Sequence, residues 1–181
     1  MNIFLAILLL IAILILFLLF LALVTKGEYV IERDLVIDQP LQKVFDYIKL
    51  IKNQETYSYW VMQDPTNKIA YKGIDGTVGF LGAWEGQKQA GKGEQEIVAL
   101  VDGKSINVEV RFEKPFKNTA QTIMTTAAIG ENQTQVTWRM DGENKFPFTL
   151  FNLVIDGMLG KDMSKSLVNL KGILENRFVD L

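Results

Sequence analysis

Residues 146–175 read FPFTLFNLVIDGMLGKDMSKSLVNLKGILE. Within this stretch Phe151, Ile155, Leu159, Met163, Leu167, Leu170 and Leu174 recur every three or four positions, the spacing that places side chains on one face of a helix. The expectation is one long amphipathic helix, bent near Gly157 and Gly160. A stripe of that length has to be buried against something, and the preceding sequence supplies the partner.

From Lys68 to Asp141 the chain reads strand, turn, strand, with strands expected at about 68–73, 77–86, 93–101, 105–113, 119–129 and 133–141. Asp75-Gly76, Asp102-Gly103 and Gly130-Glu131-Asn132 supply the turns. In the stretch 105–112, Ile106, Val108, Val110 and Phe112 face one way while Asn107, Glu109 and Arg111 face the other. A sheet patterned like this has one covered face and one wet face. Upstream, Tyr29, Ile31, Leu35 and Ile37 alternate with acids in a further strand, 29–38. Asp38-Gln39-Pro40 then offers a capping carboxylate and a helix-starting proline, and Leu41, Val44, Phe45 and Ile48 mark a short amphipathic helix. A second short helix is expected over 53–60. The fold class is therefore α+β, an antiparallel sheet of about seven strands packed on a C-terminal helix.

The first 24 positions contain one polar side chain, Asn2. Ile3 to Val24 are all apolar, and as a helix they would span about 33 Å, enough to cross a hydrocarbon core of about 30 Å. A cleaved signal peptide would start basic and carry a shorter apolar run. We therefore expect residues 1–25 to be a retained single-pass anchor, contacting the lipid bilayer through residues 3–24, and residues 26–181 to form one domain. Thr25, Lys26, Gly27 and Glu28 are the whole linker, at most about 14 Å of reach, so the domain must sit against the bilayer. Lys26, Arg33 and Lys43 follow the segment and no basic residue precedes it, which favours a cytoplasmic domain and leaves the side open.

The chain has no cysteine and no histidine. That removes disulfides, thiolate chemistry, a Ser-His-Asp triad and an ordinary zinc site. We expect no metal and no cofactor. A net charge of −2 with scattered Lys and Arg gives no footprint for nucleic acid. Residues 86–93, GQKQAGKG, fall one residue short of a phosphate-binding loop, because Gly93 stands where a Mg²⁺-binding hydroxyl is needed. The next eight residues, Glu94 to Val101, pattern as a strand and not a helix, so the stretch is expected to be a strand-to-strand connection. The sequon Asn132-Gln133-Thr134 sits in an expected turn and is no more than chance supplies.

Five stretches in this order and spacing resemble the START-like or SRPBCC superfamily of polyketide cyclases, dehydrases and lipid transport proteins: VIDQPLQKVFDYI (36–48), DGTVGFLGAWEG (75–86), GKGEQEIV (91–98), VTWRMDG (136–142) and MLGKDMSKSLVNLKGILE (158–175). The resemblance covers 29–178. It implies a helix-grip fold, in which a curved sheet and the long helix enclose a cavity for a lipid, sterol, polyketide or other apolar small molecule. It fixes neither ligand nor chemistry.

If such a cavity exists, its wall comes from the inward registers: Trp60, Phe80, Trp84, Ile106, Val108, Val110, Val136, Trp138, Met140, Leu159 and Met163. Apolar residues at these spacings are more often solid core than ligand wall. Tyr57, Tyr59 and Tyr71 are the available acids for a cyclase-like site, Glu85 should face solvent, and Glu109 with Arg111 should form an exposed pair. The leading expectation is a membrane-anchored binding module for a hydrophobic small molecule or lipid. The alternatives are a cyclase- or dehydratase-type enzyme on an apolar substrate, and a scaffold for a membrane-protein partner.

Overall fold

In the computed structural model, which describes residues 2–87 and 91–176, seven strands make one antiparallel sheet in the order β1-β7-β6-β5-β4-β3-β2. They are β1 (Glu28–Ile37), β2 (Lys68–Lys72), β3 (Leu81–Glu85), β4 (Lys92–Val101), β5 (Ser105–Lys114), β6 (Asn118–Gly130) and β7 (Gln133–Glu143). The helices are α1 (Ile3–Val24), α2 (Leu41–Ile48), α3 (Gln54–Tyr57), α4 (Tyr59–Met62) and α5 (Lys161–Leu174). This is the helix-grip arrangement: α5 lies on the inner face of the sheet, and α2 to α4 close one side.

The third strand is shorter than its pattern suggests. Gly73, Gly76 and Gly79 all take positive φ, so 73–80 turns before β3 begins at Leu81. The Phe80 carbonyl still accepts from Ile97 N–H at 3.0 Å and Gly79 N–H donates to the Ile97 carbonyl at 2.8 Å, so this stretch stays against β4 and the Phe80 side chain is buried, 1% exposed. Asp38 does not cap α2. Pro40 occupies that position without a side-chain cap, and the Asp38 carboxylate accepts from Gln133 Nε2 at 2.9 Å instead.

The C-terminal stripe is not one uniform helix. After Pro147, Phe148–Leu153 is a 3₁₀ segment, Asp156–Gly160 is a π turn, and only from Lys161 does regular α-helix run. Three residues per turn before Leu153 and a wider turn after it break the register that Phe151 shared with Leu159 and Met163. Met163, Leu167, Leu170 and Leu174 stay buried, whereas Phe151 turns outward and is 52% exposed.

Packing divides into two parts. In the larger, α2 and the second half of α5 press Val44, Phe45, Ile48, Leu167, Leu170 and Leu174 onto Ile37, Ile97, Ile106, Val108, Met124 and Val136. Each fully buried aliphatic or aromatic side chain contributes about 1.5–3 kcal/mol. The smaller part gathers Tyr29, Ile31 and Met163, with Trp138, Met140, Ile155 and Leu159 partly buried around them.

Candidate functional site

A cavity of about 130 Å³ borders both parts of the core, between the inner face of β3 to β7, the segments 54–61 and 67–69, and the start of α5. Its location follows from what fills the rest of the concave face. α2 supplies Phe45 and Ile48 to one half of the sheet, and α3 drives the fully buried Tyr57 in beside them. Over the other half the side chains that descend are Trp138, Met140, Leu159 and Met163, and the space stays open between them, Trp84 and Phe112.

Trp60, Trp84, Val110, Trp138, Met140, Leu159 and Met163 all line this cavity. Phe80, Ile106, Val108 and Val136 do not: they share the inward register but belong to the closed core cluster with Phe45, Ile48, Tyr57, Leu167 and Leu170. Alternation along a strand assigns a face, and the position of the covering helix then decides between wall and core.

The wall also includes residues not named for it from the sequence: Phe112, although its register pointed inward with Val110, and Ile69, Asn67 and Thr122. Phe112 meets Trp84 edge to face, ring centroids 5.8 Å apart, a favoured aromatic geometry. Polar groups interrupt the apolar surface at fixed points. Gln95 Nε2 donates to Gln54 Oε1 at 2.9 Å, bridging β4 and α3 across the rim. Ser166 Oγ donates to the Asp162 carbonyl at 2.7 Å and accepts from Tyr59 N–H at 2.9 Å, so this wall hydroxyl is committed to holding α4 on α5. Trp138 Nε1 is buried without a hydrogen-bond partner among the described residues. Asp162 is the one acidic or basic side chain on the wall among the described residues.

None of the three tyrosines suggested as acids lines the cavity. Tyr57 is fully buried, its hydroxyl facing Met124 Sδ at 3.9 Å, and burial pushes its ionisation well above the ordinary range. Tyr71 stacks on Phe80 and donates to Glu55 Oε1, with burial and then that carboxylate raising its pKa. Tyr59 lies under the Lys165 ammonium, 3.7 Å from the ring centre. Glu85 faces solvent. Arg111 does more than pair with Glu109: its guanidinium also reaches Glu94 and Glu96, at 2.6–2.8 Å in each case, tying β4 to β5 on the outer face. Among the described residues no three His, Cys, Asp or Glu side chains converge as a metal site.

The near-miss phosphate loop is a hairpin. Glu85 pairs with Lys92 and Trp84 with Gly93, so 86–91 connects two antiparallel strands; residues 88–90 of the motif, like 177–181, lie outside the described residues. The sequon falls at the β6–β7 turn, with the Thr134 hydroxyl buried and donating to the Gln39 carbonyl at 2.8 Å.

Comparison with solved structures shows the fold: a Bet v1-like helix grip. Norcoclaurine synthase from Thalictrum flavum, in complex with dopamine and hydroxybenzaldehyde, superposes with a TM-score of 0.61 at 14% identity, covering 84% of this chain and 90% of that one. The Aha1 dimer from Colwellia psychrerythraea gives 0.58 at 14% identity, covering 83% and 98%, and protein CV1439 from Chromobacterium violaceum gives 0.56 at 15%, covering 81% and 96%. At such identities the likeness is one of fold. No protein-family model matches the sequence, and neither does any curated protein.

Proposed function

We propose that residues 26–181 bind a small apolar molecule in the cavity between sheet and α5, and that residues 1–25 hold this domain at a membrane. The carrying observation is the cavity itself, bounded by Trp84, Val110, Phe112, Trp138, Met140 and Leu159. Its volume of about 130 Å³ is close to the roughly 150 Å³ apolar cavity that takes up benzene, and below the roughly 300 Å³ at which drug-sized sites begin. The ligand class that fits is thus a single ring or a short branched chain. A larger lipid would seat only one such group inside and leave the rest at the mouth. Dopamine and hydroxybenzaldehyde, held by the Thalictrum synthase, are single-ring molecules of this size.

The membrane part rests on α1, 22 residues long, apolar enough to span a bilayer and exposed along its length except near its C-terminal end. Catalysis has less support, because the acids expected for it are buried or turned away and Asp162 stands alone on the wall.

The test is ligand-observed NMR on the full chain in detergent, with toluene, hydroxybenzaldehyde and a short fatty acid as probes. Saturable binding of at least one is expected, and any two probes that bind should displace each other. Failure of all three to bind a chain that melts cooperatively would refute the binding module.

A further inference from the structure

The segment between β7 and α5, together with the β5–β6 connection, carries aromatic and aliphatic side chains that the core does not use. Phe116, Phe146, Phe148, Phe151, Leu153 and Met158 are between 39% and 70% exposed. Phe116, from the β5–β6 connection, packs on Phe148 with ring centroids 4.6 Å apart, and Phe148 stacks on Phe151 at 6.1 Å. These rings form a continuous surface, and contiguous exposed apolar surface of this kind marks an interaction site.

What covers it is indicated by α1. The Thr149 hydroxyl donates to the Ala22 carbonyl, and Asn152 Nδ2 donates to the carbonyls of Lys26 and Gly27 at 2.8 and 2.6 Å. Ala22 is buried by this contact, at 2% exposure. Ala22 lies two residues inside the C-terminal end of α1, about 3 Å along its axis, so the 3₁₀ segment is level with the last turn of the apolar helix. Any bilayer that holds α1 therefore reaches the aromatic surface. Lys26, Lys114, Lys117 and Lys145 are exposed on the chain segments bordering the surface. Aromatic rings at the headgroup level, with lysines able to reach lipid phosphates, are the composition of a membrane interface.

We propose that this surface is a second membrane contact: Phe116, Phe148, Phe151 and Leu153 insert into the headgroup and acyl boundary of the bilayer that α1 crosses. The proposal rests on the membrane-anchored reading of residues 1–25. It fixes the orientation of the domain, and it sets the cavity beside lipid, because Met158 of the surface and Leu159 of the cavity wall are neighbours in the same π turn.

The absence of cysteine makes the test direct. Single-cysteine variants of the full chain, Phe151→Cys, Leu153→Cys, Ile13→Cys and Asp102→Cys, are labelled with an environment-sensitive nitrobenzoxadiazole dye. They are reconstituted in phosphatidylcholine and phosphatidylglycerol vesicles with and without doxyl-labelled lipid. β5 separates the Asp102 turn from the Phe116 connection by ten residues, about 33 Å, so position 102 serves as the aqueous reference. Dye at 151 and 153 is expected to shift to the blue and lose at least half its emission to shallow doxyl groups, dye at 13 to be quenched by deep ones, and dye at 102 to be unaffected. Quenching at 13 without quenching at 151 and 153 would overturn the second contact and leave the anchor standing. A blue shift at 151 and 153 that doxyl lipid does not quench would assign the surface to a second copy of the chain and overturn it equally. No quenching at 13 would remove the anchor, and the proposal with it.

Discussion

Trp84 lies against Gly93 of the neighbouring strand, its register partner, with no room between them for another atom. A Cβ on Gly93 would come within 2.6 Å of Trp84 Cζ2 and 2.5 Å of the Arg111 carbonyl oxygen. The glycine that spoils the phosphate-loop pattern is thus what lets the indole cross the strand and reach the cavity wall.

Gly93→Ser completes that pattern as GQKQAGKS and supplies the first test. The serine meets backbone on one side and the indole on the other, so the variant should lose about 1–3 kcal/mol and melt at a lower temperature. It should gain no affinity for Mg-ATP, because a strand and not a helix N-terminus follows the loop. A saturable thermal shift with nucleotide, for parent or variant, would reverse this assignment.

The order of elements was legible because its signals are local: two-residue periodicity and turn glycines along 68–141, and a three-to-four spacing from Leu159 onward. The breaks were not. Val78 and Phe80 continue the alternation of Gly82 and Trp84, yet the chain turns at Gly76 and Gly79, and nothing in a two-residue period reveals a positive φ. Phe151 fitted the helical stripe, but 3₁₀ and π turns rotate it outward, a distinction that spacing alone does not carry. The cavity was half legible. The inward face could be read strand by strand, whereas the boundary between Val110 on the wall and Val108 in the core depends on where α2 and α5 come to rest.

Trp138 offers a test of polar satisfaction. Its Nε1–H is buried without an acceptor among the described residues, and a buried donor without a protein partner costs stability. Trp138→Phe removes that donor along with part of the ring, so the cost of lost packing is offset by relief of the unpaired group. The change should cost less than about 2 kcal/mol, well short of the 3–5 kcal/mol typical of deleting a buried indole altogether, as in Trp138→Ala. Equal losses for the two variants in urea titrations would show that the indole nitrogen is satisfied in solution.

Alkaline pH should expose the role of Tyr57. In the unfolded chain its phenol titrates near 10; in the folded chain burial, and secondarily Tyr47, hold it neutral to higher pH. A raised pKa means that the folded state keeps a proton the unfolded state has released. The associated stability is therefore complete below about pH 10 and declines above it, by about 1.4 kcal/mol per pH unit for this residue. Tyr71 and Tyr29, also shifted upward by burial, act in the same direction. Tyr57→Phe loses only a weak contact to Met124 sulfur, under about 1 kcal/mol at neutral pH. It should flatten the fall in stability between roughly pH 10 and 12. An unchanged slope would place the phenol in contact with water.

Leu159→Trp and Leu167→Trp together separate hollow from solid. Both leucines belong to the stripe that faces the sheet, but Leu159 lies on the cavity wall and Leu167, 1% exposed, is buried in the main core cluster. An indole at 167 has no space and should cost about 1–3 kcal/mol through overpacking. At 159 the added volume enters the cavity of about 130 Å³, so the variant should keep near-parental stability while single-ring probes no longer bind. Stability and binding must be read on the same samples, because a misfolded protein also binds nothing. If Leu159→Trp is as destabilising as Leu167→Trp, the space beneath the π turn closes in solution and the binding module loses its foundation. If it stays stable and still binds the probes, they sit elsewhere on the chain, and the aromatic surface around Phe148 becomes their site.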